Sequence, residues 1–239
     1  MRQESTAAAR VAALDWAGLA AGLDAQGFGL TGPLLTPGEC RQLAALYERP
    51  AGFRKTVVMA RHGYGQGEYR YFDAPLPGLV EALRSALYER LAPIAEAWRR
   101  RLGLGPSFPA RHADYLARCH AAGQTRPTPL LLRYGPGDYN CLHRDLYGEL
   151  VFPLQATLLL SPESDFEGGE FLLVEQRPRR QSIGRVAPLR QGEAVLFPVA
   201  ERPVEGTRGA YRAQLRHGVS PLRRGHRMTL GLIFHDARS

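Results

Sequence analysis

The spacing of apolar residues changes near Thr128, and this change limits the folds that the chain can adopt. Before it, residues 7–26 and 76–102 carry apolar side chains at helical spacing. After it, short apolar runs alternate with glycine and proline turns, as in an antiparallel sandwich or barrel. The runs are LLLRY (130–134), QATLLLS (155–161), GEFLLVE (169–175), EAVLFPV (193–199), RAQLRHG (212–218) and RMTLGLIF (227–234). The sequence therefore predicts an α+β protein with a helical first half, residues 1–127, and a β-rich second half, residues 128–239, which share one core.

The first half contains several helix boundaries. Gly27 ends the predicted helix 7–26, because glycine favours a helix C-terminus. Thr36-Pro37-Gly38-Glu39 is a capping box with proline in the first turn, and it predicts a helix through about Tyr47. We expect Pro93 to kink or split the helix 76–102. A short helix is predicted at 109–121, and residues 51–75 are expected to be irregular or extended.

Composition excludes several classes of protein. No apolar stretch reaches the roughly 18–20 residues that a membrane span needs. The N-terminal stretch MRQESTAAARVAALDW is broken by charge and is not typical of a signal peptide. Three scattered cysteines without a CxxC pair indicate free thiols, and we expect a cytoplasmic protein. The net charge of +8 suits a polyanionic partner, but a GC-rich codon bias explains a high arginine content equally well.

Three side chains form a candidate metal site. In an extended segment, His143 and Asp145 project from the same face, so both can reach one ion. His217, near the end of a later predicted strand, supplies a second imidazole. Two histidines and one carboxylate form the facial triad that leaves positions open on Fe(II), whereas zinc more often takes a closed tetrahedral set or three ligands plus water. A single histidine is more often a hydrogen-bonded or surface residue, so the prediction depends on the whole set.

A candidate carboxylate receptor lies on the last predicted strand. In RMTLGLIF, alternation places Arg227, Thr229, Gly231 and Ile233 on one face and Met228, Leu230, Leu232 and Phe234 on the other. A guanidinium beside a threonine hydroxyl, on a face that is otherwise small or apolar, suits a carboxylate. The alternative is a solvent-exposed arginine at the start of a strand.

These elements together resemble the Fe(II)- and 2-oxoglutarate-dependent oxygenases with a double-stranded β-helix (jelly-roll) core. The resemblance covers about residues 128–237. It rests on Tyr134-x-x-Gly137, on His143-x-Asp145, on QATLLLSPESDFEGGEFLLVE (155–175), on GEAVLFP (192–198) and on HGVSPLRRGHRMTLGLIF (217–234). The turn Phe166-Glu167-Gly168-Gly169-Glu170 is similar to the prolyl-hydroxylase branch.

The whole chain is more closely similar to a prokaryotic group of these oxygenases to which a nucleic-acid-modifying role is assigned by inference. The segments RHGYGQGEYRYF (61–72), GTRGAYRAQLRHGVSPLRRG (206–225) and IFHDA (233–237) carry this likeness. The chain departs from the alkylation-repair demethylases, which have an asparagine where Leu132 stands and a second arginine where Ile233 stands.

The resemblance implies roles for individual residues. His143, Asp145 and His217 are implied as iron ligands. Arg227, assisted by Thr229 and Tyr134, is implied to hold the distal carboxylate of 2-oxoglutarate, although a core aromatic is an equal reading of Tyr134. The implied reaction consumes 2-oxoglutarate and O2, releases succinate and CO2, and hydroxylates or oxidatively demethylates a substrate.

The glycine-rich segment 60–72 is the candidate for substrate contact. Its residues Arg61, Tyr64, Tyr69 and Arg70 suit base stacking and phosphate contact, a lid over any planar or anionic substrate, or a hairpin that packs on the helical half. Arg208, in a later glycine-rich loop, is expected at the mouth of the site. Two substrate predictions compete within the implied oxygenase: modification of a nucleic acid or nucleotide, and hydroxylation of a protein, peptide or amino acid. The alternatives from other classes are a non-catalytic jelly-roll module and a hydrolytic zinc enzyme.

Overall fold

Two antiparallel sheets face each other across a cavity in the computed structural model, which describes residues 5–238. The helices are α1 (Ala7–Ala12), α2 (Trp16–Gln26), α3 (Pro37–Ala45), α4 (Gly78–Arg101) and α5 (His112–Ala121). The strands of the first half are β1 (Gly29–Leu30), β2 (Phe53–Val58), β3 (Gly65–Gln66) and β4 (Glu68–Phe72). Those of the second half are β5 (Leu130–Tyr134), β6 (Tyr139–His143), β7 (Leu154–Leu159), β8 (Phe166–Gly168), β9 (Phe171–Gln176), β10 (Ile183–Ala187), β11 (Ala194–Pro198), β12 (Glu201–Gly206), β13 (Gly209–Val219), β14 (Leu222–Gly225) and β15 (Arg227–Ile233).

The sheet order is that of a double-stranded β-helix. The larger sheet, of seven strands, runs β1-β11-β7-β15-β5-β4-β2. The smaller one contains β10-β9-β13-β6-β3, with β12 paired to β13. Several neighbours in these sheets, such as β1 with β11 and β6 with β13, are distant in sequence, and the jelly-roll core that the resemblance implies is confirmed. The division of the chain at residue 128 stays a prediction, and strands from both sides of it join the larger sheet.

The segment 51–75, expected to be irregular or extended, contains extended strands. It forms β2 and β4, an antiparallel pair that extends the larger sheet beside β5. The alternation that would predict strands is hard to see in this segment, because it contains glycines, a turn between the strands and many polar residues. The strands β6, β10 and β12 were also not evident in the sequence, because none of them contains a continuous apolar run.

The helices follow their sequence signals with two corrections. The stretch 7–26 is two helices, because Asp15 caps α2 by accepting a hydrogen bond from Gly18 N at 2.9 Å. The helix α4 continues unbroken through Pro93, so the expected split does not occur. The capping box at Thr36 is present as expected. Residues 1–4 of the N-terminal stretch lie outside the described part of the chain.

The main hydrophobic core lies between the helices and the outer face of the larger sheet. Leu83, Leu87 and Leu91 of α4 pack there with Leu230 and Leu232 of β15. Because successive strand residues alternate, the other face of the same strands is turned toward the cavity. The fold thus places the inner face of the larger sheet opposite the smaller sheet. Among residues 5–238, no helix combines the length and the apolar character that crossing a membrane requires.

Candidate metal centre and co-substrate cavity

The structure brings together the two histidines and the aspartate singled out in the sequence. His143, the last residue of β6, is paired in register with His217 of β13, and their ring centroids lie 4.2 Å apart. Asp145 follows β6 and turns back between them. Its Oδ1 lies 3.5 Å from His143 Nε2 and its Oδ2 lies 3.3 Å from His217 Nε2. One donor atom from each residue falls within 4.8 Å of the others, which is close enough for one ion.

A glycine next to His217 permits this approach of the two strands. A Cβ atom at Gly218 would lie 2.6 Å from the carbonyl oxygen of Asn140 on β6. The register also shifts between His217 and Val219, as in a β-bulge. The sequence pair His217-Gly218 therefore combines a donor with the backbone space that it needs.

The electrostatics of the cluster favour an ionised aspartate. Burial alone would raise the pKa of Asp145, but hydrogen bonds from His143 and His217 outweigh it and hold the pKa well below its ordinary value. Burial lowers the pKa of His217, and the neighbouring His143 acts in the same direction. The set thus offers a carboxylate and a neutral imidazole, which are the forms that bind a metal.

A short chain of hydrogen bonds orients the aspartate. Tyr147 donates its hydroxyl to Asp145 Oδ1 at 2.8 Å, and Tyr71 donates to the hydroxyl of Tyr147 at 3.1 Å. Sequence reasoning missed Tyr147 because its role depends on how the loop after β6 turns. The spacing Asp145-x-Tyr147 gave no signal by itself.

The predicted carboxylate receptor lies in the lining of the same cavity. Arg227 is opposite Tyr134 on the neighbouring strand, and its guanidinium carbon lies 5.8 Å from the Tyr134 ring centroid and 5.9 Å from that of Phe166. Arg227 is only 2% exposed, and its Nη1 and the Tyr134 hydroxyl have no hydrogen-bond partner among the described residues. Burial lowers the pKa of Arg227 and raises that of Tyr134 to about 12. A buried cation without an anion is the arrangement that a carboxylate ligand would complete.

The double glycine of the sequence motif makes room for this arginine. Gly169 has a φ of +66°, and a Cβ there would lie 2.9 Å from Arg227 Cδ. A side chain at this position would therefore be strained in its backbone and would displace the arginine. Thr229, 1% exposed, lies on the same face of β15, as the alternation predicts.

A single cavity of about 580 Å³ joins the two clusters. Of the predicted substrate residues, Tyr64 and Tyr69 line it. Arg61 and Arg208 are exposed, and Arg70 lies on the opposite face of β4 from Tyr69 and Tyr71. Arg70 stacks 4.5 Å over the Tyr47 ring and donates to the Tyr47 carbonyl, because alternate residues of a strand face opposite ways. The structure thus brings the two tyrosines to the cavity and leaves these three arginines outside its lining.

The fold and the site define a jelly-roll oxygenase. Comparison with known structures agrees on the fold. A Pseudomonas putida prolyl-4-hydroxylase is similar with a TM-score of 0.52 and 16% identity, covering 90% of this chain and 96% of that one. A 2OG-Fe(II) oxygenase family oxidoreductase from Burkholderia pseudomallei has a TM-score of 0.53 and 16% identity, with 93% and 92% covered. At this level of identity the likeness concerns the fold alone.

The chain belongs to the Oxygenase-NA family, described as "Oxygenase, catalysing oxidative methylation of damaged DNA", which residues 67–237 match. Two uncharacterised proteins of Mycobacterium tuberculosis, from strains CDC 1551 / Oshkosh and ATCC 25618 / H37Rv, are each 54% identical over 167 residues, which is 70% of this chain and 72% of theirs. The chain is therefore an oxygenase.

The cofactor set of such oxygenases fits the residues present. The two imidazoles and one carboxylate match the facial triad of non-haem Fe(II). The unpartnered Arg227 Nη1 and Tyr134 hydroxyl suit the distal carboxylate of 2-oxoglutarate. The protein is thus an oxidoreductase that uses Fe(II), 2-oxoglutarate and O2.

Proposed function

We propose that the protein oxidises a methyl group on a base of a nucleic acid or nucleotide. His143, Asp145 and His217 would hold the iron, and Arg227, Thr229 and Tyr134 would hold 2-oxoglutarate. The iron supplies the oxidising chemistry when bound: one oxygen atom of O2 enters the substrate and the other enters succinate, with loss of CO2. A methyl group becomes a hydroxymethyl group, and on a ring nitrogen this group leaves as formaldehyde and restores the N–H.

The observation that carries the proposal is the charge of the cavity. Among the described residues that line it, Arg54, Lys55 and Arg144 are cations in addition to Arg227, and Asp145 is the one carboxylate. Since Asp145 belongs to the metal centre, nothing acidic remains in this lining to repel an anion. Cationic side chains around a site attract and position phosphate groups.

The aromatic lining supports a planar substrate. Tyr69 and Tyr71 lie on the inner face of β4, with ring centroids 5.4 Å apart and an edge-to-face arrangement. Tyr64 is 51% exposed at the rim and stacks on His62 with a centroid distance of 5.3 Å. Enzymes that modify a base take it out of the stack and hold it between aromatic or apolar side chains.

Large apolar side chains are exposed around the mouth of the cavity. Leu142 is 41% exposed and Leu146 is 55% exposed, and both line the cavity beside Tyr64. Exposed apolar groups of this size mark a surface that a partner covers. Apolar side chains inserted between bases are a known means of opening a nucleic acid.

The residues of the chain have separable tasks in this reaction. Arg227 and Tyr134 orient the co-substrate, while Tyr147 holds Asp145 by its hydrogen bond. The tyrosines of β4 and the apolar lining residues Leu130, Leu132 and Phe171 would exclude water from the reacting methyl group.

The test is substrate-stimulated release of succinate. We expect single-stranded oligonucleotides that carry one N-methylated base to raise the rate above that with the matched unmethylated strand. Stimulation by proline-containing peptides alone would contradict the proposal and favour a protein hydroxylase.

Two variants control this experiment. Asp145→Ala removes the carboxylate between the histidines and is expected to abolish succinate release. Glu149→Ala removes an exposed carboxylate from the same loop, where it pairs with Arg238, and is expected to leave the rate unchanged.

A further inference from the structure

The end of the cavity opposite Arg227 contains a buried amide that the reaction described so far does not use. Among residues 5–238, four side chains that line the cavity carry a fully buried polar atom without a hydrogen-bond partner: Tyr134, Gln155, His217 and Arg227. Three of these belong to the metal centre or to the co-substrate end. Gln155 is the one that remains.

Gln155 is directed into the cavity by the register of β7. Its neighbours Leu154 and Ala156 belong to the core on the outer face, so Gln155 lies on the inner face. It is 3% exposed and stands between Phe197 of β11 and Ile233 of β15. The Phe197 ring centroid lies 4.7 Å from that of His217, so Gln155 is one strand away from a side chain that contacts the metal centre.

The co-substrate cannot satisfy this amide from its place at Arg227. Gln155 is level with Ile233, and the strand from Arg227 to Ile233 rises about 20 Å. The carbon chain of 2-oxoglutarate has four C–C bonds of about 1.5 Å and spans at most about 6 Å. The backbone separation is about three times this span, so a ligand anchored at Arg227 covers only part of the distance to Gln155.

The neighbouring polar groups are already satisfied. The Thr128 hydroxyl is bonded to the carbonyl of Ile233 at 3.1 Å, and Tyr71 and Tyr147 are bonded to each other. An unpaired buried donor costs free energy in the empty site, and a substrate that supplies an acceptor recovers it. The unpaired Nε2 of Gln155 therefore favours a ligand that presents a hydrogen-bond acceptor to it.

We propose that Gln155 is a specificity-determining residue that hydrogen-bonds the edge of the substrate base. Its amide offers a donor beside an acceptor, the pairing that glutamine makes with a base edge. The ligand is a planar heterocycle that presents an acceptor to Nε2, with its methyl group directed toward the metal centre. This inference rests on the proposed function and names the residue that selects among bases.

The experiment uses the full-length protein with Fe(II) and 2-oxoglutarate, and four single-stranded oligonucleotides. Each oligonucleotide carries one N-methylated adenine, cytosine, guanine or thymine. Gln155→Met keeps an unbranched side chain of similar length and removes both hydrogen-bonding groups. We expect kcat/KM for the preferred oligonucleotide to fall about 10- to 100-fold, while the KM for 2-oxoglutarate and the succinate release without substrate stay within about twofold.

Gln155→Glu separates recognition from packing. It keeps the shape and replaces the donor with an acceptor, so it is expected to change the order of preference among the four bases. A purely structural role would lower all four values together and leave their order unchanged. Gln214→Met is the matched control, because Gln214 bonds Glu201 and lies outside the described lining of the cavity.

The outcomes distinguish the two claims. Equal stimulation of wild type and Gln155→Met by the preferred oligonucleotide overturns the role of Gln155 and leaves the proposed function intact. A raised KM for 2-oxoglutarate in Gln155→Met places the residue at the co-substrate end and also overturns the inference. Failure of every oligonucleotide to stimulate the wild type overturns the proposed function and the inference with it.

Discussion

The two faces of β7 and β15 differ in whether the protein itself supplies contacts for the side chains on them. On the outer face the side chains are apolar, buried and fully packed against the helices: Leu154, Ala156, Leu158, Leu230 and Leu232. On the inner face Gln155 and Arg227 keep buried polar atoms without hydrogen-bond partners in the part of the chain that the structure describes. Alternation along one strand therefore separates two tasks: the outer residues stabilise the fold, and the inner residues remain available for ligands.

On the outer face, the substitution with the largest expected effect on stability is Leu232→Ala. Leu232 is fully buried, and removing three carbons leaves a cavity beside the helices. We expect the free energy of unfolding to fall by about 3 kcal/mol. Urea unfolding measures this change. The KM for 2-oxoglutarate, measured well below the unfolding midpoint, should stay within about twofold of wild type. A tenfold change in KM would show that the two faces are not independent.

The corresponding test on the inner face is Arg227→Met. Loss of a buried guanidinium from a carboxylate site is expected to raise the KM for 2-oxoglutarate about 100-fold. The same change removes a buried charge that has no anionic partner among residues 5–238, so the free energy of unfolding without co-substrate should stay equal or rise by about 1–4 kcal/mol.

Arg224→Met is the control for this prediction. Arg224 is exposed on β14 and pairs with Glu167, so neither quantity should change. Marked destabilisation of the co-substrate-free Arg227→Met protein would mean that Arg227 is a structural residue.

The sequence alone predicts the inner and outer faces of β15. In RMTLGLIF the apolar side chains are spaced by two, and the structure places Arg227 and Thr229 in the cavity and Leu230 and Leu232 in the core. The metal cluster was predictable for a similar reason. His143 and Asp145 are close in the chain, and the pair His217-Gly218 marks a strand that another strand approaches closely.

Other features needed the tertiary structure. The strands β2 and β4 contain several polar residues and each follows a glycine, and they form because β5 offers an edge to β4, which in turn pairs with β2. The alternation of β4 also explains why Tyr69 lines the cavity while Arg70 does not, which required knowing that the segment is a strand. Gln155 stands out because its buried amide has no hydrogen-bond partner among the described residues. A sequence does not show which buried groups are unpaired.

Two buried histidines outside the metal centre also predict a pH dependence of the free energy of unfolding. Burial lowers the pKa of His112 and of His235 to about 4 each. The unfolded chain takes up protons near pH 6.5 and the folded chain resists them until about pH 4. The contribution of these two histidines to the free energy of unfolding is therefore fully present above about pH 6.5 and is lost as the pH falls toward 4.

At pH 5 each of these histidines is expected to lower the free energy of unfolding by about 2 kcal/mol relative to pH 7. Urea unfolding at the two pH values measures the total change, to which other titrating groups also contribute. His112→Gln should reduce this change by about 2 kcal/mol. An unaltered pH dependence in His112→Gln would show that this histidine is accessible to protons in the folded protein.

The smallest expected effect comes from Tyr147→Phe, which sharpens the comparison across the cavity. The change removes the hydroxyl that bonds Asp145 Oδ1 and keeps the ring that packs against Tyr71. Groups that orient a metal ligand typically contribute 10- to 100-fold to metal affinity, and we expect the dissociation constant for Fe(II) to rise about 10-fold. Anaerobic titration with Fe(II) measures this constant, with Tyr211→Phe on β13 as the control outside the described cavity lining. The free energy of unfolding of the metal-free protein should change by less than about 1 kcal/mol, since only a small hydrogen-bonded network is lost. The alternative outcome is unchanged Fe(II) binding with a free energy of unfolding that falls by more than about 1 kcal/mol. Tyr147 would then stabilise the fold, as the residues of the outer face do, and would not orient Asp145.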